Sequence, residues 1–346
     1  MADYKEWLDE LNREAYHDGE WQWQEGDFTV TRTTHWSPPG CHMGCGVLLY
    51  TKDNKLVKVE GDPLNAVANG KLCMRCLNLP EATNYPDRLK YPMKRAREDR
   101  GNVDAFERVT WDEALDIIED WIRVNIDEAG LGRESIMVNH GTGRNINWQV
   151  PFIAGACFRT ANVGGIYFSG WWCYMPRVCG AAGPLGDYPI VDASETLPDR
   201  YANPEWKAPD VLAVWGNEPL KSNGDGYLGH WLNVCVQAGT KIISIDPRIT
   251  WVGAHNGNIN LQVRPQTDTA LALGIMNLMF ESGEYDHEFS ENWIYGLDEI
   301  KARAAEYPPE RVAEITGIPA DLIVASARRY ATAKPASVQW GLKFDQ

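Results

Sequence analysis

The sequence predicts an α/β protein in two parts: a small β-rich unit, then doubly wound, mostly parallel α/β domains. Two observations carry this. Residues 31–95 show no helical period, and their apolar runs GVLLYT and KLVKVEG are short, strand-like and split by the turn KDNK. Farther along, apolar strands alternate with helical stretches. DVLAVWGNEP, GDGYLGHWLNVCVQAG and TKIISIDPR follow one another as a βαβ unit does, which requires parallel strands.

Each element follows in chain order. Residues 1–30 read as an N-terminal extension, with YKEWLDELNREAY a short helix and EWQWQEGDF unassigned. Residues 31–95 form the β-rich unit. VTWDEALDIIEDWIRVNI places Trp111, Leu115, Ile118 and Ile122 on one face of a helix, with Thr110 or Asp112 as its N-cap. SIMVNHGTG is a strand entering a glycine-rich turn. NLQVRPQTD is a strand and loop, and TALALGIMNLMF is an apolar helix. LDEIKARAAEY and PADLIVASARRYATA are further helices, and ASVQWGLKFDQ is a last strand. The expected division is 31–95, then 96–155 together with 330–346, then 156–329. A final strand with no following element suggests an incomplete portion of a longer chain.

Composition narrows the partners. The 346 residues are enough for two or three structural units and a sizeable core. A net charge of −15 argues against nucleic acid or an anionic membrane as partner, because both select basic surfaces. No apolar run reaches the roughly 18 residues that span a bilayer. The acidic start MADYKEWLDE lacks a basic n-region, an apolar h-region and a twin-arginine pair, so the expected location is cytoplasmic. In a reducing compartment, clustered cysteines point to metal or catalysis.

The cysteines stand at 41, 45, 73, 76, 157, 173, 179 and 235. The spacing Cys41-x3-Cys45-x27-Cys73, with His35 upstream, offers soft thiolates suited to an iron–sulfur cluster or to zinc. Prolines and glycine in WSPPGC fix a loop that must curl round such a group. Cys73 and Cys76, in CMRC, compete for the last donor position, and His35 is either a ligand through its imidazole or a plain surface residue. A scatter of buried core cysteines is the third reading.

The ordered motifs LVKVEGDP, GKLCMRC, DRLKYPMKR, FERVTWDEALD, VLAVWGNEP, IISIDPR and RPQTDTALALG resemble the large subunit of molybdopterin oxidoreductases of the dimethyl sulfoxide reductase family. The resemblance covers residues 31–346. It implies a [4Fe-4S] domain at 31–95 and a molybdenum or tungsten ion held by two pterin guanine dinucleotides. It also implies a further C-terminal pterin-binding domain, absent from this chain. Family members bind the cluster through four cysteines or through three and a histidine. This sequence has Thr34-His35 where the first cysteine usually stands, so the resemblance implies His35, Cys41, Cys45 and Cys73 as ligands. Arg75 matches the basic residue between cluster and pterin.

The resemblance places dinucleotide contacts on Gly216, Asn217, Glu218 and Asn223, on Asp246 and Arg248, and on Thr267 and Asp268. Read as residues alone, each of these motifs is equally a turn or a helix cap. Together they sit where open α/β sheets bind ligands. The protein ligand of the metal falls on Cys173 in FSGWWCYMPRVCGAAG, with Cys179 as fallback. His140 is the expected general acid, and Arg177 the expected anchor for a substrate oxygen. Trp171, Trp172 and Tyr174 suit a flat ring, or simply a packed core.

Within the family, WSPPGCH, CMRC and the Cys173 loop look most like catechol and pyrogallol dehydroxylases and transhydroxylases. That implies reductive dehydroxylation or hydroxyl transfer on a polyhydroxylated aromatic substrate, fed by a ferredoxin-like iron–sulfur subunit. ENWIYGLDEIKARAAEYPPERVAEITG is similar to acetylene hydratase and implies a tungsten hydratase instead. A truncated, non-catalytic electron-transfer or assembly subunit is the reading from outside enzymology.

Overall fold

The protein is described here from a computed structural model, which covers residues 16–37, 41–65, 70–140, 149–164, 180, 183–184, 186, 207–222, 229–254 and 257–341. It shows the expected class: an antiparallel β unit at the N-terminal end, followed by parallel sheet with helices.

Strands β1 (Gln22–Glu25), β2 (Phe28–Ser37), β3 (Cys41–Lys52) and β4 (Lys55–Gly61) form one antiparallel meander in that order. The β3–β4 turn places Asp53 and Asn54 at positive φ, the conformation a two-residue hairpin loop demands and one these residues tolerate. Trp23, Val30, Leu48 and Tyr50 alternate onto one face and make its core. Arg32 ties the sheet to its approach, donating to the Asp62 carboxylate at 3.0 Å and to the His17 and Glu20 carbonyls. The pairing Trp23↔Val30 carries the β-rich unit back to Gln22, upstream of the boundary expected at residue 30. EWQWQEGDF is a hairpin, with Gly26 at φ +57° in its turn.

Two short helices follow β4, α1 (Met74–Leu77) and α2 (Leu79–Asn84). The strands β5 (Met93–Lys94) and β6 (Glu107–Arg108) then pair. Helix α3 (Trp111–Ile122) begins as expected: the Thr110 hydroxyl accepts from the Glu113 N–H at 3.1 Å. Its apolar stripe, however, faces outward. Trp111 is 68% exposed and Leu115 58%.

A parallel pair, β7 (Val138–Asn139) and β8 (Val163–Gly164), is crossed over through α4 (Gln149–Ile153). The boundary expected at 155/156 therefore cuts a paired unit. The last sheet is fully parallel, in the order β11 (Ile259–Leu261), β10 (Lys241–Ile245), β9 (Val211–Trp215), β12 (Ala336–Trp340). Residues 330–346 were expected beside 96–155. Register pairs from Ala336↔Val211 to Trp340↔Trp215 put β12 in the sheet of 207–329 instead. The physical reason is that β9 is buried along its whole length, and it needs a parallel neighbour on each side.

On one face of this sheet Ala213, Trp215, Ile243 and Ile245 pack with Leu271, Val312 and Ile323. These come from α7 (Asp268–Ser282), α10 (Pro309–Thr316) and α11 (Ala320–Ala331). Leu212 and Ile242 point the other way and are equally buried, as are Leu232 and Cys235 of α6 (Gly229–Gln237). Helices α5 (Pro219–Ser222), α8 (His287–Trp293) and α9 (Leu297–Ala304) complete the set described here. Among the described residues no helix is long and apolar enough to cross a membrane.

Candidate functional site

Two groups of residues face a cleft of about 770 Å³. Lys71, Leu72 and Cys73 line one wall, and Pro219, Gly229 and Asn233 line the other. The cysteine-bearing unit thus meets the loop that follows β9.

Behind the first wall, of which Cys73 alone of this group is a lining residue, the register pairs His35 with Cys45 across β2 and β3, next to a bulge between His35 and Ser37. Cys45 is 3% exposed. Cys73 is the N-cap of α1, and Cys76 lies one turn on, 2% exposed, with its Sγ 3.4 Å from His35 Nδ1. The Cys76 side chain, hydrogen bonded to the Cys73 thiol, and then burial, push that thiol well above its ordinary range. Cys76 was set aside in favour of His35 on sequence grounds. The contact with both neighbours is what sequence reasoning missed, and the C-x-x-C spacing at a helix start was the available signal. Arg75 sits between the two cysteines, half-buried. Cys41 lies at the start of β3, and its side chain is outside the described residues. Among the described residues no three His, Cys, Asp or Glu side chains are arranged to hold a metal ion.

In the parallel sheet, three strands end at one edge, and the expected dinucleotide residues that are described follow each of them, next to Pro219 of the cleft rather than lining it. Gly216 has φ +61°, and its carbonyl runs so close to Gly341 that a Cβ there would stand 2.2 Å from the Gly216 oxygen. Glu218 is 6% exposed; its Oε2 accepts from the Trp251 N–H at 2.7 Å, which ties the loop after β9 to the loop after β10. Asp246 accepts from the Arg248 backbone N–H at 2.9 Å and from its guanidinium at 3.1 Å, which raises the Arg248 pKa and leaves its side chain largely exposed. Asp268 accepts from the Trp215 indole N–H at 2.7 Å, anchoring the start of α7 to the end of β9. Asn217 and Thr267 are half-buried beside them. The arrangement brings Gly216, Asn217, Glu218, Asp246, Arg248, Thr267 and Asp268 to one sheet edge.

His140 follows β7, half-buried, with its N–H bonded to the Gly164 carbonyl at 2.9 Å. Cys173, Arg177, Asn223, Trp171, Trp172, Tyr174 and Cys179 lie outside the described residues.

The chain matches two known families end to end: residues 34–84 match the molybdopterin oxidoreductase Fe4S4 domain, and residues 88–341 match molybdopterin oxidoreductase. The chain belongs to the molybdopterin oxidoreductase family. It is 32% identical to acetylene hydratase of Syntrophotalea acetylenica, over 88% of this chain and 39% of that protein. It is 28% identical to dimethyl sulfoxide reductase DmsA of Escherichia coli K12, over 87% of this chain and 39% of that protein. Among solved structures, acetylene hydratase from Pelobacter acetylenicus superposes with a TM-score of 0.67 at 27% identity, covering 90% of this chain and 41% of that one. The chain thus spans about two fifths of the length of these relatives.

The two families imply a molybdopterin cofactor and an Fe4S4 cluster. The sheet edge offers an acceptor suited to the first, while for the second the described cysteines supply the donor type without being gathered into a metal-holding group. Glu218 Oε1 is buried with no hydrogen-bond partner among the described residues, an acceptor that guanine N–H groups would satisfy. Cys45, Cys73 and Cys76 carry reduced thiols, the donors iron–sulfur clusters use.

Proposed function

We propose that this chain is the cluster- and dinucleotide-binding part of a molybdenum or tungsten pterin enzyme acting on a carbon–oxygen bond, and that its reaction is hydration of a small unsaturated substrate. The likeness to acetylene hydratase, in sequence and in structure over nearly nine tenths of the chain, supports the hydratase reading. The edge residues from Gly216 to Asp268 hold one guanine dinucleotide: Glu218 and Asp268 accept from guanine, and Arg248 meets phosphate. Bound there, the cofactor supplies a metal centre that polarises substrate and water. Cys173 ligates that metal, and His140 holds the proton that substrate carbon receives. Arg75 carries positive charge between cluster and pterin.

A second reading rests on WSPPGCH and CMRC: reductive removal of a hydroxyl from a polyhydroxylated aromatic ring, or its transfer. Here Arg177 anchors a phenolic oxygen. A ferredoxin-like subunit delivers two electrons, two protons are taken up, and the oxygen leaves as water. Anaerobically isolated holoenzyme separates the two. Acetaldehyde formed from acetylene without any reductant supports the hydratase. Turnover only of catechol or pyrogallol, and only with a reduced electron donor, overturns it in favour of the dehydroxylase.

A further inference from the structure

We infer that Thr250 is a positioning residue of the dinucleotide edge: its hydroxyl, held against Ser244, fixes the turn that keeps Glu218 aimed at guanine. This rests on the reading of the sheet edge as a guanine site given under the proposed function. As a sequence motif, IISIDPR ends at Arg248, and residues 249–254 belong to no motif read from the sequence. In the structure they do not simply leave the edge. They turn back onto the face of the sheet that carries Leu212 and Ile242, where Ser244 of β10 also points.

Thr250 and Ser244 are both buried, and their hydroxyl oxygens are 3.0 Å apart. A buried hydroxyl costs stability unless it is bonded, and here each satisfies the other. Thr250 Oγ1 also accepts from the Gly253 N–H at 3.1 Å, and the Thr250 carbonyl accepts from the Ala254 N–H at 3.0 Å. These bonds close one tight turn on Thr250. The Asn258 and Asn260 amides donate to the Val252 and Gly253 carbonyls at 3.0 and 2.7 Å. A Cβ on Gly253 would strike the Asn260 amide and the Ser244 side chain, so the turn lies hard against β10 and β11. Trp251, inside this turn, donates its N–H to Glu218 Oε2 at 2.7 Å. That bond occupies one oxygen of the carboxylate. The other, Oε1, is buried without a hydrogen-bond partner among the described residues, which leaves it for guanine. Thr250 therefore acts on the site through Glu218. Without its hydroxyl the turn loses the bond that sets the Trp251 N–H, and the carboxylate loses its fixed direction.

The test uses anaerobically isolated holoenzyme. Guanine nucleotide released on denaturation is counted per chain, before and after prolonged dialysis far below the melting temperature. Wild type should keep its nucleotide. Thr250→Val, which keeps the shape and removes the hydroxyl, should lose it about three- to tenfold faster, the equivalent of one buried hydrogen bond. Thr250→Ser should hold it as wild type does. Glu218→Gln should lose it too, and adding Thr250→Val to Glu218→Gln should change the loss little further, since a residue that acts through another is not additive with it. Full additivity in that pair overturns the inference, as a turn that only stabilises the fold would give it. Thr250→Ser as leaky as Thr250→Val also overturns it, because the methyl and not the hydroxyl would then count, and so does Thr250→Val that retains nucleotide like wild type. Should Thr250→Val fail to fold, Ser244→Ala decides: faster loss from the folded variant supports the inference, and loss at the wild-type rate overturns it. Wild type that releases no guanine nucleotide on denaturation overturns the reading of the edge, and the role of Thr250 with it.

Discussion

At the scale of single residues, side chains in and around the cleft are set by neighbours the sequence does not reveal. Glu60 shows this on the cluster side. Burial opposes its ionisation, but the Lys58 ammonium at 2.7 Å and the Tyr50 hydroxyl at 2.9 Å outweigh burial and hold its pKa below the ordinary carboxylate value. A carboxyl lowered in this way adds stability while it is ionised. The contribution is complete above the unfolded value, near pH 4.3, and drains as pH falls through the lower folded value. Glu60→Gln should therefore leave the melting temperature little changed in acid and lower it at neutral pH, flattening the acid limb of a Tm-against-pH profile. Equal losses at pH 3 and pH 7 would show that the hydrogen bonds count and the charge does not. The candidate dinucleotide residues were legible from sequence because they follow apolar strands at a recurring position. The His35–Cys76 contact was not, because the two lie on different elements and only β2–β3 pairing brings His35 round to α1.

At the scale of elements, strand type and helix caps were readable, while partners were not. Asp286 accepts from Phe289 N–H at the start of α8, and α10 opens on Pro309 and closes on Gly317 at φ +77°. Those are ordinary cap signals, but neither helix was assigned from the sequence; the cap that was read is Thr110 of α3. Strand β12 was assigned to the wrong neighbour because a short apolar run does not state which strand it pairs with. Its pairing has a consequence at the site. Gly341, just past β12, donates its N–H to the Trp215 carbonyl at 2.9 Å and lies against the Gly216 backbone. Gly341→Ala places a methyl group where only a backbone shift makes room. The change should cost about 1–3 kcal/mol, as overpacking does. Because the shifted backbone is the loop carrying Asn217 and Glu218, guanine nucleotide released on denaturing the isolated protein should also fall. A variant that melts like wild type and keeps its nucleotide would mean that the Gly216 loop yields freely and is not held by β12.

At the scale of the whole molecule, the two sheets differ from the middle of the chain in how they are covered. The parallel sheet is packed on both faces, and the meander has its own aromatic core. Helix α3 lies outside both, and its stripe is exposed: Trp111, Leu115, Ile118 and Trp121 are all 47% exposed or more. Periodicity identified that stripe correctly as one face of an amphipathic helix, and such a face ordinarily means burial. Here the described residues do not cover it, in a chain that spans two fifths of its relatives' length. An exposed apolar face of this kind is sticky in water. The 346-residue chain should bind a hydrophobic dye such as ANS and should associate as concentration rises. Since Leu115 and Ile118 already face solvent, replacing both by glutamate should remove little packing and leave the Tm within a few degrees. Dye fluorescence and association should fall together in the same variant. A double variant that unfolds would show the stripe to be buried in solution, and one that binds dye as strongly as wild type would place the sticky surface elsewhere.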